Sequence, residues 1–460
     1  MPLCICTLVA LVCLGMLAPL SGSAQSTTPA AKTPIKHLVS VMQSNRSFDH
    51  YFGAYPGVTG IPTDVCMPED PLGETSDECI APFRLETYEE DLSHTHLMFE
   101  QQYRNGEMDG FIDAFRQRGE LQNLTMGYLD DLQLPFHWNV AEEYVLFDRY
   151  FSSASAGSTP NRMFWVSGTA GVTDLDRVGV PDAGWGELPT IFDRLEEQGI
   201  PWKFYIENYD PSVTYRNRGE GGINAQFAWA PLLSFARFLD NPELSSHIVD
   251  LDEYFVDLQR GTLPAVSYVV TVGSSEHPPS NPLSGQKLLR RMVTALMQSS
   301  AWESSALTWA HDDWGGWYDH VTPPEADEFG YGFRVPSLLV SPYARRGYVD
   351  NTVLDHTSVL RFIEDNYGLA PLAERDAAAN SIVGAFDFSQ PPREPAIISM
   401  SRTPTPSLII PDRSTIYLVY ASGSAFAAML IGLTLAWSVR ARRRPAIPPV
   451  RLRPGGARSS

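Results

Sequence analysis

The amino-acid sequence predicts an α/β fold in which a central, mostly parallel sheet is flanked by helices. Two observations support this: short apolar runs with the length of buried strands recur along the chain, and segments with helical spacing separate them. The predicted strands are 36–42, 265–270, 306–310 and 335–340, and the clearest predicted helices are 189–198 and 285–299. In sheets of this kind, functional sites gather at the carboxyl ends of the strands.

Both ends of the chain are apolar. Residues 1–24 hold no charged side chain and end in small residues ahead of Gln25, which is typical of a cleavable secretory signal; an uncleaved N-terminal anchor is the alternative. Residues 415–439 carry no charge, have aromatic residues near both borders and precede four arginines within 440–444. This pattern predicts a transmembrane helix followed by a basic cytoplasmic tail, 440–460, with a buried core helix as the alternative.

No linker-like break interrupts the chain between these ends. Residues 25–398 are therefore predicted to form one extracytoplasmic domain, and the Ser/Thr/Pro-rich segment 399–414 a flexible juxtamembrane stalk. The protein is thus predicted to be a single-pass protein of the cell membrane. Cys66 and Cys79 are the only cysteines outside the signal, and an oxidising compartment predicts one disulfide between them rather than a metal pair.

The composition is acidic, with 54 Asp and Glu against 34 Lys and Arg and a formal net charge of −20. Seven of the basic residues lie beyond residue 439, so the predicted extracytoplasmic part is more acidic still. Such a surface repels phosphate backbones, which argues against a nucleic-acid partner. It attracts divalent cations.

Polar residues directly follow three of the predicted strands, in segments 43–50 (QSNRSFDH), 275–279 (SEHPP) and 311–316 (HDDWGG). The adjacent carboxylates of Asp312 and Asp313 suit a hard divalent cation, because two acids held together repel each other unless a cation lies between them. Asn45 would add a neutral oxygen ligand. A solvated turn is the alternative for the two acids.

The segment 156–164 (AGSTPNRMF) has the pattern of a loop that enters a helix, with Ser158 or Thr159 as N-cap and Pro160 as the first helical residue. A hydroxyl there faces unpaired backbone N–H groups, where a phosphate oxyanion would bind. A plain N-cap is the alternative. The chain has neither a GxSxG nor a GxxxxGKS motif, which argues against an ordinary serine esterase and a P-loop enzyme.

Several motifs resemble the phosphoesterase family that contains bacterial phospholipases C, plant non-specific phospholipases C and a group of acid phosphatases. The resemblance runs in order through almost all of the predicted extracytoplasmic part, in segments 35–53, 105–111, 125–138, 157–162, 275–279, 311–324, 332–349 and 374–393. It implies an alkaline-phosphatase-like fold and metal-assisted attack on phosphorus by a hydroxyl group.

Matched position by position, the resemblance assigns roles to individual residues. It implies Ser158 as nucleophile, and His94 and His277 as catalytic contacts to the phosphate or the leaving group. The other implied residues are the ligands of a divalent cation, Asn45, Asp312 and Asp313, and the substrate-binding residues Arg46, Asn161 and Arg162. One position departs from the family pattern: Ser44 stands where the family has an acidic metal ligand, Glu.

The sequence therefore predicts a membrane-anchored, extracytoplasmic phosphoric ester hydrolase that acts on a phospholipid or a small phosphate ester. A phospholipase C is the first interpretation. An acid phosphatase is the second, since diester and monoester cleavage use the same residues. A pseudo-hydrolase that only binds phosphorylated ligands is the third, because Ser44 removes a metal ligand.

Overall fold

The computed structural model describes residues 30–74, 78–86, 90–120, 122–176, 179–218, 225–403, 422, 424–434 and 436–437. The predicted signal, 1–24, and the predicted tail, 440–460, lie outside these residues. The chain divides into two compact units, 1–408 and 409–460. In the second unit residues 424–434 are helical. None of the described helices has both the length and the apolar character to cross a membrane, and the predicted span 415–439 falls partly outside the described residues.

A large sheet forms the centre of the first unit. The strands of this unit are β1 His37–Gln43, β2 Met67–Pro68, β3 Cys79–Ile80, β4 Phe83–Arg84, β5 Gly127–Tyr128, β6 Val145–Phe147, β7 Trp202–Ile206, β8 Ile248–Asp250, β9 Val266–Val270, β10 Ser305–His311, β11 Ser337–Val340 and β12 Tyr348–Asp350. Eight of them form the large sheet, in the spatial order β12-β6-β11-β10-β1-β9-β7-β8.

The prediction of a mostly parallel sheet is confirmed. Among the described strands of the large sheet, only β11 runs antiparallel to its neighbours, β10 and β6, and the other neighbouring strands are parallel. The four predicted strands correspond to β1, β9, β10 and β11. The central strands β1, β9 and β10 are almost entirely buried, as expected for a sheet with both faces covered.

Helices cover the sheet. They are α1 Phe48–Phe52, α2 His96–Tyr103, α3 Phe111–Arg118, α4 Pro135–Glu143, α5 Ser158–Ser167, α6 Ile191–Glu197, α7 Ala225–Trp229, α8 Ala236–Asp240, α9 Pro242–Ser245, α10 Asp252–Arg260, α11 Pro282–Met297, α12 Thr357–Tyr367 and α13 Glu374–Ala378. Short 3-10 helices span Arg104–Gly106, Gln122–Met126, Pro231–Ser234, Trp302–Ser304 and Ile382–Ala385. The two predicted helices are found, as α6 and α11.

Aromatic side chains pack helices against both faces of the sheet. On one face, Trp165 of α5 lies 4.3 Å from Tyr268 of β9, ring centre to ring centre, and its indole N–H donates to Ser40 of β1 at 2.9 Å. On the other face, His137 of α4 lies 4.5 Å from the ring of Trp309 in β10. Helix α5, which begins with Ser158, is therefore held directly on the central strands.

Two further features lie at the edges of the first unit. Cys66 and Cys79 form the predicted disulfide, with their Cα atoms 5.3 Å apart. The start of the predicted stalk lies against α4: the Asn139 amide donates to the carbonyls of Ser399 at 2.9 Å and Ser401 at 3.2 Å. Arg402 donates to Asn139 Oδ1 at 2.9 Å in return.

Candidate active site

The centre of the site is built by the register between β1 and β10. Gln43 lies opposite His311, where both strands end. Because the strands are parallel, the residues that follow them emerge side by side. The backbone turns sharply at Asn45, which has a left-handed φ of 66°, and its N–H donates to Asp312 Oδ1 at 3.2 Å. Asn45, Asp312 and Asp313 therefore lie together, as predicted.

Ser158 reaches this centre from the first turn of α5. The helix begins one to two residues earlier than predicted, with Gly157 as N-cap, so neither Ser158 nor Thr159 is the cap and Pro160 is not the first helical residue. The Ser158 hydroxyl is therefore not used for capping. It donates to Asp313 Oδ2 at 3.0 Å and lies 3.3 Å from Asn45 Oδ1.

The two predicted catalytic histidines meet at the Asn45 amide. Asn45 Nδ2 lies 2.8 Å from His94 Nε2 and 3.1 Å from His277 Nε2. The opposite ring nitrogens, both Nδ1, face backbone carbonyls: that of Leu92 at 2.6 Å for His94 and that of Pro278 at 2.6 Å for His277. When a ring is neutral in this arrangement, its Nδ1 donates to the carbonyl and its Nε2 accepts from the Asn45 amide.

Asp312 is buried and completely engaged by protein donors. Its Oδ2 accepts from Arg162 Nε at 2.7 Å, and its Oδ1 accepts the N–H groups of Asn45 and, at 2.8 Å, of Asp313. Arg162 also donates to the Ser44 hydroxyl at 2.7 Å. The charge of Asp312 is thus paired with Arg162, whereas Asp313 has no such cation.

Burial and neighbouring charges shift the proton affinities of the site. Burial raises the pKa of Asp313 to about 7; His94 opposes this shift, and Asp312 reinforces it. Burial alone would lower the pKa of His94, but the carboxylates of Asp313 and Asp91 outweigh it, so that this pKa is raised. Burial lowers the pKa of His277, against the attraction of Asp91.

The three predicted substrate-binding residues lie near the site but outside the described lining of the cavity. Arg46, Asn161 and Arg162 are fully buried and do not line the cavity at Ser158. Arg46 donates to the Glu276 carbonyl at 3.2 Å. Asn161 binds the carbonyls of the turn before α5, with Ala156 O at 2.8 Å. Their side chains bind buried partners, and their role in substrate binding remains a prediction.

Asp313 Oδ2 and Asn45 Oδ1 both lie within hydrogen-bond distance of Ser158 Oγ. An uncompensated carboxylate beside two neutral oxygens is a donor set that fits a hard divalent cation. At Asp312 Oδ2 a cation would have to compete with Arg162, which already donates to this oxygen. The residues therefore fit a divalent cation. Their total negative charge is smaller than that of a site that keeps an acid at position 44.

A second group, Asp49, Asp319 and His320, has the geometry of metal ligands, since one atom from each lies within 4.8 Å of the others. The guanidinium of the buried Arg334 already pairs with Asp49 at 3.0 Å and with Asp319 at 2.9 Å. The group is compatible with a divalent metal, but that metal would have to compete with Arg334.

Behind the site lies a buried cluster that the sequence analysis missed. Glu276 accepts the hydroxyl of Tyr51 at 2.7 Å, and its carboxylate oxygens lie 3.5 Å from His137 and 3.4 Å from His311. Burial raises the pKa of Glu276 to about 8, against the influence of Tyr51 and Arg46. Burial also lowers the pKa of His137 to about 3. At neutral pH the cluster is therefore mostly uncharged.

Ser158, His94 and His277 open onto a cavity of about 360 Å³. Its apolar wall is formed by Leu92, Pro160, Leu175, Ala228 and Trp229. Apart from the histidines, Asp91 is the one charged residue among the described lining residues, and none of them is Lys or Arg. Trp229 was not foreseen, because a single tryptophan in a short helix carries no sequence signal of its own.

Comparison with known proteins identifies the family. The model of the phosphoesterase family matches residues 35–370. The chain belongs to the phosphoesterase family. As a phosphoesterase it is similar to phospholipase C A of Mycobacterium tuberculosis, with 29% identity over 421 residues that cover 79% of each chain. It is also similar to non-specific phospholipase C6 of Arabidopsis thaliana, with 26% identity over 79% of this chain and 74% of the relative.

Among solved structures, a protein in the alkaline phosphatase superfamily from Vibrio parahaemolyticus matches 76% of this phosphoesterase and 71% of its own chain. The identity is 12% and the TM-score 0.38, values that add no argument about function. The family assignment together with the curated relatives makes this protein a hydrolase that acts on phosphoester bonds.

Proposed function

We propose that this phosphoesterase is a phospholipase C that uses Ser158 as nucleophile. The observation that carries the choice of a lipid diester is the apolar wall of the cavity, which is formed by five side chains. A phosphate monoester is a dianion and needs cationic partners, whereas a diester carries one charge less and brings an apolar substituent. The names of the relatives, phospholipases C, support the same choice.

In the proposed first step Ser158 Oγ forms a bond to phosphorus while the bond from phosphorus to the glycerol oxygen breaks. The hydroxyl proton passes to Asp313 Oδ2, which is 3.0 Å away. The non-bridging oxygens face the N–H groups of the first turn of α5, where a helix binds anions. The imidazolium form of His94 or His277 gives its Nε2 proton to the departing alkoxide, which leaves as diacylglycerol, and the ring is then neutral.

In the second step water attacks the phosphorus of the phosphoserine and gives one proton to Nε2 of the histidine that lost a proton in the first step. The bond between phosphorus and Ser158 Oγ breaks, the phosphorylated head group leaves, and the serine regains its proton from Asp313. Asn45, Asp313 and Ser158 would hold a divalent cation, whose chemistry when bound is to stabilise the anionic serine oxygen and the charge on the phosphoryl group.

Membrane anchoring through 415–439 and an extracytoplasmic location remain part of the proposal. They are supported by the apolar, charge-free segment followed by arginines. A tether of this kind would hold the cavity close to a phospholipid surface, which raises the local concentration of a lipid substrate.

The test compares two substrates on the purified protein with added divalent cation: a diacyl phospholipid, followed by release of diacylglycerol, and p-nitrophenyl phosphate, a monoester. The proposal expects faster turnover of the phospholipid. Preference for the monoester would favour an acid phosphatase. Tight binding of both substrates without turnover would favour a pseudo-hydrolase.

A further inference from the structure

The loop that carries His277 is wrapped around a single carboxylate. Glu207 directly follows β7, and the loop begins after β9, the neighbouring strand. Glu207 Oε2 accepts backbone N–H groups from three successive residues of the loop, Val272 at 3.1 Å, Gly273 at 2.8 Å and Ser274 at 2.7 Å. Its Oε1 accepts the Ser274 hydroxyl at 2.8 Å.

Successive N–H groups that converge on one anion form a nest, and hydrogen bonds to a charged acceptor are stronger than neutral ones. The position of Glu207 is itself fixed by the sheet, because its backbone N–H donates to the Val270 carbonyl of β9 at 2.9 Å. The carboxylate therefore holds residues 272–274 in a fixed position relative to the carboxyl ends of β7 and β9.

The rest of the loop is held from the opposite side. The Ser44 N–H donates to the Ser275 carbonyl at 3.2 Å, and Arg46 donates to the Glu276 carbonyl. Glu276 has a φ of 57°, which L-amino acids rarely adopt. A backbone in this conformation persists only when contacts on both sides enforce it. Glu207 supplies the contact on the side of β7.

We propose that Glu207 is a positioning residue that sets the place of the His277 ring in the active site. Glu207 is not one of the described residues that line the cavity. It therefore acts through the backbone of 272–274 and not on the substrate. The inference rests on the proposed catalytic role of His277. Without the carboxylate, the ring would lose its alignment with Asn45 Nδ2, 3.1 Å from its Nε2.

The kinetic test uses Glu207→Gln, His277→Ala and the double variant, assayed by release of diacylglycerol from a diacyl phospholipid, whose alkoxide leaving group needs a proton. Glutamine keeps the size of the side chain but replaces one acceptor oxygen by an NH₂ group. Glu207→Gln is expected to lower kcat by about tenfold to a hundredfold with KM nearly unchanged, because small misplacements of a catalytic group are costly. In the His277→Ala background, Glu207→Gln should lower kcat by less than about twofold, since both substitutions remove the same function of the His277 ring.

The second test does not depend on activity. With ¹³C-labelled histidine, the His277 ring signal, identified by its loss in His277→Ala, should shift or broaden in Glu207→Gln while the other histidine signals stay. Asp387→Asn is the matched control, because Asp387 also anchors a turn, through the N–H and hydroxyl of Ser389, on an exposed surface. It should leave kcat and the His277 signal unchanged.

An unchanged His277 signal in Glu207→Gln would overturn the proposal, as would an equal loss of kcat in both backgrounds. If His277→Ala keeps full activity, the proposed role of His277 is wrong, and the ring signal still decides whether Glu207 positions it. If Ser158→Ala is active, the proposed function fails separately.

Discussion

The Ser158 hydroxyl donates a hydrogen bond to Asp313 Oδ2 over 3.0 Å, from the first turn of α5 to the carboxyl end of β10. The contact joins a helix start to a strand end that lie 155 residues apart in the chain. It places the proposed nucleophile, at the wall of the cavity, in direct contact with the proposed proton acceptor.

Ser158→Ala should lower kcat at least about a thousandfold, because loss of a nucleophile removes the covalent route. Thr159→Ala is the matched control, and it should stay near the wild-type rate. Both are measured as kcat on the phospholipid, with circular dichroism to verify folding. A dead Thr159→Ala with an active Ser158→Ala would mean that the neighbouring residue is the nucleophile.

Ser44→Glu should tighten the binding of a divalent cation roughly tenfold or more, because the charge of the ligand set tunes cation affinity. A glutamate at this position would meet Arg162, which now donates to the Ser44 hydroxyl at 2.7 Å. Calorimetric titration of the purified protein with Mn²⁺ measures the affinity directly. Ser44→Ala, which adds no charge, should show no gain. Equal or weaker binding by Ser44→Glu would show that the proposed ligand set is wrong.

Glu276 should make stability depend on pH. Its pKa is raised to about 8 in the folded protein, against about 4.3 in an unfolded chain. The folded state holds the proton more tightly, so the free energy of unfolding should fall as pH rises through this window and level off above pH 8. The fall should amount to a few kcal/mol, since one pKa unit corresponds to about 1.4 kcal/mol.

Glu276→Gln should flatten this dependence, because the amide cannot ionise. Denaturant unfolding at pH 5 to 9 measures it. Glu364, whose pKa is raised to about 9, titrates in both proteins, so the difference between the two curves isolates Glu276. Parallel curves would contradict the prediction.

The Cys66–Cys79 disulfide closes a short loop, with a sequence separation of 13. Replacing both cysteines by serine should lower the free energy of unfolding by about 3 kcal/mol, the value expected for a loop of this length. In the unreduced, denatured form of the predicted extracytoplasmic part, neither Cys66 nor Cys79 should react with an alkylating reagent. Full labelling of both cysteines would show that the pair is free in the natural protein.

The membrane prediction is tested on intact cells. Added protease should digest the region 25–414 and spare a fragment that begins near residue 415 and includes the tail. Antibodies against an epitope tag at each end distinguish the two parts. A fully protected N-terminal part would overturn the proposed orientation.

The central strands could be predicted from the sequence because β1, β9 and β10 are long apolar runs buried on both faces. The direction of β11 could not be predicted, since its apolar run 335–340 has the same pattern in either direction. The path of the connecting segment determines whether the strand runs parallel or antiparallel to its neighbours. Strands β6, β8 and β12 have three residues each, too few for a period to show.

The candidate site could also be predicted only in part. Asn45, Ser158, Asp312 and Asp313 were predicted to lie together, and they do. Motifs showed that Arg46, Asn161 and Arg162 are near the site, but not where their side chains point. Those directions depend on buried partners such as Asp312 and the Glu276 carbonyl, which come from distant parts of the chain.

The amide of Asn45 also explains why a carboxylate is unsuited to this position. Its oxygen faces Ser158, while its NH₂ group supplies one hydrogen to each imidazole, His94 at 2.8 Å and His277 at 3.1 Å. An aspartate has no hydrogen to give, so both rings would have to turn N–H groups toward it and carry positive charge. Gaining a stronger cation ligand in this way would convert two neutral imidazoles into imidazolium ions facing the cation, and the repulsion between them would oppose the gain.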